Sequence, residues 1–549
     1  MILIKFEVSE TDALGRIGKI EINNKSINTP NLFPVIHPFE NLLSPNQLKE
    51  IGAEAIFTNA FILYQNKDIR ESILKKGIHK FLDYKGIIAT DSGAFQQYMY
   101  NKEIKIKADE IERFQETIGS DLPVILDIPV QLNDSYETAK TKIYTNIDRA
   151  KANIVRRNDK NRNWIGPIHG GVFYDLLEMS TIEMSKLDFD LYAIGGLVKP
   201  FLDYRFRIAI NMLLAVKKKI RHDKPLHMFG LGLPQFFSLA VACGCDLMDS
   251  AAYILYAKEN RYFTLSTGTK HLDELYEFPC TCPVCSKFTP SEIKNLENDI
   301  KTALLAKHNL YVSFSELKTI KQAIKEGNLL ELVETRIRSH PNLVDAYRLI
   351  SKNSKFYEIY DKSYKTHGRL FSSIESSYRP IFYRYKQKLE LYCQNNLNAK
   401  FLILLPELDT RGENSPTIKK WVEEINLFEL NEKEKLDICY ISPFFGLIPI
   451  ELSEIYPLGQ HEHTTLDKMT DVAFEIFKSF FSKKFRGYEL IGILLPKHYI
   501  NQFNEENNFS TNSPIYQIKS YLQKKNRNKI IPAFKINLIL EFFKNWTKK

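Results

Sequence analysis

Along the first half of the chain, short apolar runs recur and each ends in a polar or glycine-containing step. They are Leu32 to Ile36, Ala55 to Thr58, Ile87 to Asp91, Val124 to Asp127, Gly166 to His169, Tyr192 to Gly195, His227 to Gly230 and Asp246 to Asp249. Runs this short, bounded by turn-forming steps, are strand-like. The stretches between most of them, such as Ala108 to Ile118, Ser135 to Arg157 and Tyr204 to Ile220, carry the helical period instead. Alternating strands and helices predict an α/β fold whose parallel strands are joined by right-handed crossovers. Eight such units favour closure into a TIM (β/α)8 barrel over residues 1–275, with a doubly wound open sheet as the runner-up. The tightest spacing precedes Asp249, where Pro234 to Gly244 admits about three turns of helix.

Residues 276–350 change to a zinc-binding and helical pattern, with helices expected at Pro290 to Leu296, Asp299 to Leu310 and Phe314 to Ile350, the last interrupted near Gly327 and at Pro341. Residues 351–378 are polar and aromatic and read as a linker or packing arm. A smaller α/β C-terminal domain is expected over 379–549, with strands Phe401 to Leu405, Asp437 to Ile441 and Glu489 to Leu495, helices Ser415 to Ile425 and Thr465 to Phe481, and a basic C-terminal helix. No internal repeat or low-complexity segment interrupts the chain.

At 549 residues the chain exceeds one ordinary core, and its 44% hydrophobic and 26% charged residues are those of a globular protein. Lys and Arg outnumber Asp and Glu by 75 to 66, a formal charge of +9 that modestly favours a polyanionic partner. Two basic runs, Lys217-Lys218-Lys219 with Arg221 and Lys524-Lys525 with Arg527 and Lys529, either face such a partner or are solvated helix faces. The N-terminal apolar run is broken by Lys5 and Glu7, so neither signal peptide nor membrane anchor is expected, and no stretch approaches the roughly 18 apolar residues of a spanning helix. A cytoplasmic protein is the expectation. The seven cysteines, three of them clustered, suit metal binding plus free thiols better than a disulfide framework.

Cys280, Cys282 and Cys285 place three thiolates within a tight turn, and His308 follows on an expected helix. Three thiolates and one imidazole suit tetrahedral Zn2+, and a full set of protein ligands makes the site structural rather than catalytic. His271, His340 and His79 compete with His308 for the fourth position.

Three of the expected strands end in aspartate, at Asp91, Asp127 and Asp249, where a barrel of this kind performs its chemistry. One such residue alone is more often a helix cap; three converging on one mouth are not. Glycines follow in Asp91-Ser92-Gly93, His169-Gly170-Gly171, Gly195-Gly196 and Gly230-Leu231-Gly232, where a ligand would approach backbone closely. Carboxylates, backbone amides and Phe95 together suit a flat purine or deazapurine stacked on Phe95, its N–H groups held by Asp127.

At these residues the sequence resembles the archaeal tRNA-guanine transglycosylases (archaeosine tRNA-guanine transglycosylases, or 7-cyano-7-deazaguanine tRNA-ribosyltransferases). The likeness runs from Phe6 to about Leu349 and is carried by Asp91 to Gln96, Leu126 to Pro129, Phe229-Gly230, Asp246 to Lys258, Phe278 to Lys287 and His308 to Leu310. It implies exchange of guanine 15 in the tRNA D-loop for the free base 7-cyano-7-deazaguanine (preQ0), through a covalent aspartyl-ribosyl intermediate. It further implies Asp249 as nucleophile and Asp91 as the second catalytic carboxylate. Asp127, Ser92, Phe95, Gly195 and Gly196 would form the base pocket, and Cys280, Cys282, Cys285 and His308 would hold one Zn2+. A homodimer is implied as well. Two departures stand out. His169 lies where the family has glutamine, so it joins the base pocket with an altered base preference as the alternative. After Leu495 the glycine-rich β pattern of the family's PUA domain is not recognisable, which leaves room for a separately encoded PUA-domain protein. Parts of the C-terminal region, Phe401 to Pro406 and Ser442 to Pro449, are also similar to a domain of archaeosine synthase, but its lysine-bearing signature is replaced by Arg411 and Gly412, and no second activity is assigned. The competing readings are a non-catalytic tRNA-binding subunit, for which three charges at one mouth would be idle, and a zinc hydrolase, which the closed ligand set disfavours.

Overall fold

The computed structural model describes residues 5–94, 106–157, 163–265, 267–395, 399–408, 415–427, 435–484, 488–495, 497, 500, 514–524 and 530–547. The chain divides into two compact units, Met1–Lys352 with Tyr360–Lys362, and Asn353–Ile359 with Ser363–Lys549.

The first unit opens with an element the apolar runs do not announce, an antiparallel sheet of β1 (Lys5–Asp12), β2 (Gly15–Ile22) and β3 (Lys25–Thr29). Its alternation is short and β1 is irregular between Val8 and Glu10, so the period of two is hard to see in sequence. Eight parallel strands follow: β4 (Asn31–Pro34), β5 (Ala55–Asn59), β6 (Ile87–Asp91), β7 (Leu122–Pro123), β8 (Ile165–Ile168), β9 (Leu191–Ile194), β10 (Leu226–Met228) and β11 (Leu247–Ser250). They overlap or adjoin the eight predicted runs. The fourth differs most, because regular pairing ends at Pro123 and only the bridge of Val124 to Ile165 continues it. Pairing runs β5-β6-β7 and β4-β11-β10-β9-β8, with parallel bridges from Val35 to Phe57 and from Val124 to Ile165. A separate antiparallel pair, β12 (Arg261–Thr264) and β13 (Gly268–His271), leads from the last of these strands towards the cysteine turn.

One face of seven of the eight strands packs as a single apolar cluster, including Phe33, Phe57, Ala89, Val124, Ile165, Ala193 and Leu247, with Ile20, Ile22 and Ile27 of β2 and β3 packed among them. Side chains two residues apart on a strand share a face. The next positions along that face are therefore Asn59, Asp91, Gly195 and Asp249, beyond Phe57, Ala89, Ala193 and Leu247. Apolar layers give way to polar groups at the carboxyl ends of the strands, and that change of residue type creates the site.

The helices Ala108–Ile118, Tyr136–Arg156 and Phe206–Lys217 fall where their periodicity predicts, the second capped by the Ser135 side chain. Asn298–Glu326 is one continuous helix rather than two, and it stops at Gly327, whose φ of 73° is the left-handed conformation glycine adopts freely. Lys217 corrects the reading of its basic run: it is buried, so it neither faces a polyanion nor lies on a solvated helix face. Burial, with the nearby Arg16 charge, lowers its pKa to about 8.

The second unit is also α/β. Its main sheet has the order β17-β16-β15-β19-β20, formed by β15 (Ala399–Pro406), β16 (Lys435–Ser442), β17 (Gly446–Pro449), β19 (Leu490–Leu494) and β20 (Ile530–Ala533); all are parallel except β17. β14 (Arg369–Phe371) and β18 (His461–His463) form a separate parallel pair. The segment after Leu495 contributes the helix Pro514–Lys524, strand β20 and the helix Ile536–Thr547, more than the single basic helix expected. Pro532 sits on the sheet's edge strand, where the missing N–H is tolerated. Among the described residues no helix is long and apolar enough to cross a membrane.

Candidate active site

Asp249 lies within β11, and its Oδ1 is held by His227 Nε2 at 2.7 Å and by the Gly230 amide at 3.3 Å. His227 occupies on β10 an inward position that other strands give to apolar residues. It is fully buried, with Phe33, Phe57 and Phe229 packed around its ring. Gly230 has a φ of 78°, and a Cβ there would sit 2.5 Å from Val198 Cγ2, so the turn that aims its N–H at Asp249 requires glycine.

Asp91 ends β6. Its Oδ2 accepts from Asn59 Nδ2 at 2.7 Å, and the pairing of Asn59 opposite Asp91 across β5 and β6 sets this contact. Burial and the neighbouring Asp127 carboxylate push its pKa up to about 7 against the pull of the Gly93 amide, and Asp249 adds to the rise. The other two carboxylates predicted to converge, Asp127 and Asp249, therefore lie within electrostatic reach of Asp91.

Asp127 is buried, with its Oδ2 2.5 Å from His169 Nε2. The backbone around it is clamped by the helix Tyr136–Arg156: Asn146 accepts from Ile128 N at 2.7 Å and donates to Ile128 O at 2.9 Å, and Arg149 donates to Leu126 O at 3.1 Å. The His169 ring packs with Cε1 against Gly195, where any Cβ would come within 2.1 Å of that atom. Its Nδ1 is buried and without a hydrogen-bond partner among the described residues. Ser92 is buried and donates to Ile125 O at 3.0 Å, while Gly196 has a φ of 78° and adjoins Val130 O. Phe95 lies outside the described residues.

Sequence reasoning misses His227, Asn59, Asn146 and Arg149. The available signals are faint: a histidine opening an apolar strand, and an asparagine on the buried face of an amphipathic helix.

Cys280, Cys282, Cys285 and His308 come together, and this group could hold a metal ion. Cys282 Sγ lies 3.6 Å from Cys285 Sγ, and His308 Nδ1 lies 3.5 and 3.3 Å from those two sulfurs. Ligand atoms of a tetrahedral zinc shell, with bonds of about 2.3 Å to sulfur and 2.0 Å to nitrogen, stand roughly 3.5–3.8 Å apart, so the donor set fits. His308 Nε2 pairs with Phe263 O at 3.0 Å, which makes it the protonated nitrogen and leaves Nδ1 as the ligand. Tyr262 stacks on the His308 ring at 3.6 Å, with Phe278 on its other face. The competing histidines are engaged elsewhere: His79 with Asp121 and Tyr84 O, His271 and His340 as helix caps.

Residues 11–342 match the family model described as queuine tRNA-ribosyltransferase. A protein named tRNA-guanine(15) transglycosylase from Methanocaldococcus jannaschii is 38% identical over 94% of this chain and 78% of its own length. One of the same name from Methanococcus maripaludis strain C5 is 39% identical over 98% of the chain and 78% of its own length, and one from Pyrococcus furiosus is 38% identical over 84% and 71%.

Proposed function

From the premise that the chain belongs to the queuine tRNA-ribosyltransferase family, we propose that it is a tRNA-guanine(15) transglycosylase working by double displacement, with 7-cyano-7-deazaguanine as the incoming base. The eight parallel strands are read as a closed (β/α)8 barrel over 1–275, because pairings and bridges lead from β4 through β5 to β11 and back to β4. Residues 276–350 form its zinc-binding and helical part, 351–378 connect, and 379–549 are the C-terminal α/β domain.

In the first step an Asp249 oxygen attacks C1′ of the ribose of guanine 15. The C1′–N9 bond breaks, and its electron pair leaves with guanine, which takes a proton from Asp91. In the second step Asp91 removes a proton from the incoming base, whose nitrogen attacks C1′ and releases the Asp249 carboxylate. Configuration is retained because two inversions occur. The observation that carries this reading is the pairing of unlike carboxylates. Asp249 is held in place by His227 and the Gly230 amide, whereas Asp91 titrates near pH 7 and can exchange its proton in either direction. His227 acts as a positioning residue. Asp127 and His169 line the base pocket with Gly195, Gly196 and Ser92, and the family likeness assigns Phe95 to it. The target nucleotide has to leave its stack before C1′ is accessible.

The four-ligand cluster holds one Zn2+ whose contribution is structural, since the protein donors fill a tetrahedral shell. A homodimer, a separately encoded PUA-domain protein as accessory and a cytoplasmic location belong to the same proposal, on the strength of the family likeness.

Incubation with unmodified tRNA and radiolabelled preQ0 tests it. The wild type should incorporate label at position 15 and form an enzyme–tRNA adduct that survives denaturation. Asp249→Asn should lose both while retaining tRNA affinity within about twofold, or about 0.4 kcal/mol. Full exchange by that variant would sink the mechanism. Incorporation of no base by the wild type, with or without a PUA protein, would leave the scaffold reading.

A further inference from the structure

The second unit contains a cluster that the transglycosylase reading does not use. Glu407, His461 and His463 bring one carboxylate and two imidazoles together, His461 Nε2 lying 3.1 Å from Glu407 Oε1 and His463 Nε2 3.2 Å from Glu407 Oε2. We infer that these three residues form a second metal site, with two imidazoles and one carboxylate as ligands, for a divalent first-row transition ion such as Zn2+.

The argument starts from the strand. His461 and His463 are two residues apart on β18, so both rings leave the same face. The ring orientations are fixed: His461 Nδ1 lies 3.1 Å from both Pro457 O and Leu458 O, and His463 Nδ1 lies 3.0 Å from Thr464 O. Carbonyl oxygens only accept, so each Nδ1 carries a proton, the outer arrangement that orients metal-binding histidines. The two Nε2 atoms then converge on the carboxylate. In the neutral ring each presents a lone pair to an oxygen that also only accepts. Facing acceptors are reconciled by extra protons or by a cation, and a single metal ion satisfies all three donor groups at once. One ligand atom from each of the three residues lies within 4.8 Å of the other two, which brings them within reach of a single ion.

Placement within the sheet supports the same conclusion. β15 is paired in parallel on one side by β16, which follows it in the chain, and on the other by β19, which comes later. β15 connects onward to β16 on one side and β19 to β20 on the other, so the connections reverse between β15 and β19, and their carboxyl ends form a topological switch point, where open α/β sheets take their ligands. Glu407 is the first residue beyond β15. Phe371 and Phe445 pack around the His461 ring at 5.4 and 5.1 Å, with Phe444 beside His463 at 5.5 Å, which holds the donors in place. A small pocket borders Glu407, lined also by Leu408, Ile418, Tyr440, Ile448 and Leu458. Three protein donors leave the metal a position for water or a small anion on that side.

Cobalt titration of the metal-stripped full-length protein tests the inference independently of base exchange. Two Co2+ should bind per chain: one with the near-ultraviolet thiolate charge-transfer band, lost in Cys282→Ser, and one showing only weak visible bands of a nitrogen and oxygen shell. Glu407→Gln and His463→Ala should each abolish the second and keep the first. The His463 variant alters the most exposed ligand of the three, so it decides the matter if Glu407→Gln fails to fold. A wild type that binds only the thiolate-ligated ion, or a His463 variant that still binds two, would overturn the site. Neither result would touch the transglycosylase proposal, which is read from incorporation at position 15.

Discussion

Asp91 shows how one residue's environment sets both its chemistry and its cost. Its carboxyl has a folded pKa of about 7 against an ordinary value of 3.8, because burial and the Asp127 charge disfavour ionisation. The folded state therefore keeps a proton that the unfolded chain releases. The stability this contributes is complete below 3.8, declines as pH rises and is lost by about 7. Asp91→Asn keeps the shape and removes the ionisation. We expect it to abolish base exchange while raising the melting temperature of the first unit by a few degrees above pH 7, with the gap closing towards about pH 4. Differential scanning calorimetry across that range checks the prediction, and an offset that does not vary with pH would refute it. The three aspartates are legible in sequence because each follows an apolar run, where a charge stands out. Their supports are not. His227 reads as one more strand residue, and only its partners Asp249, Phe33 and Phe57 reveal that it holds the proposed nucleophile. Lys217 misleads for the opposite reason: three consecutive lysines look like one charged face, but on a helix neighbouring residues point in different directions, and this one points inward.

Among the elements, the turn after β9 illustrates how two strands share one pocket. Gly195 exists in this chain as a floor for His169, which in turn fixes Asp127. Gly195→Ala should drive the imidazole off that floor and break its contact with Asp127. The expected result is a KM for the free base raised about tenfold, equivalent to about 1.4 kcal/mol, with the KM for tRNA nearly unchanged. His169→Ala in the same background should relieve the clash and restore thermal stability without restoring the free-base KM, because the Asp127 contact stays absent. Steady-state kinetics with each substrate varied separately, beside melting curves of both variants, would show it; equal rises in both KM values would count against the pocket assignment. At this scale the sequence is a good guide wherever apolar content is continuous. The helix Ala108–Ile118 and strand Ile87–Asp91 have their predicted bounds. It is a poor guide where pairing depends on partners distant in sequence: β1 to β3 and β20 have no long apolar run, and their existence follows from the sheets they join.

For the whole molecule, the first question is how a cluster of three cysteines and a histidine, remote in sequence from the carboxylates, bears on them. His308 and Asn309 are neighbours on the helix Asn298–Glu326. Asn309 accepts from Phe263 N at 2.8 Å and donates to Tyr253 O at 3.0 Å, four residues beyond Asp249, and the Tyr253 hydroxyl donates to Val35 O at 3.1 Å, beside β4. Fixing His308 to the cysteine turn thus fixes a helix that fastens the segment leaving β11, the strand of Asp249. The metal's effect should be confined to the unit that contains it, since the second unit has its own continuous core built on Phe401 to Leu405 and Phe444-Phe445. Cys282→Ser should therefore release the thiolate-bound ion and destabilise the first unit by at least about 3 kcal/mol, which lowers its unfolding transition by roughly 4 °C or more for a unit of this size. The second transition should stay within about 1 °C of its wild-type position. Below the lowered transition, the exchange rate should fall with the folded fraction of the first unit while the KM for tRNA holds. Calorimetry and rates measured over the same temperatures decide the point: a matching shift of both transitions would mean that the two units unfold as one, and a changed KM with full folding would mean that the cluster contacts the tRNA directly.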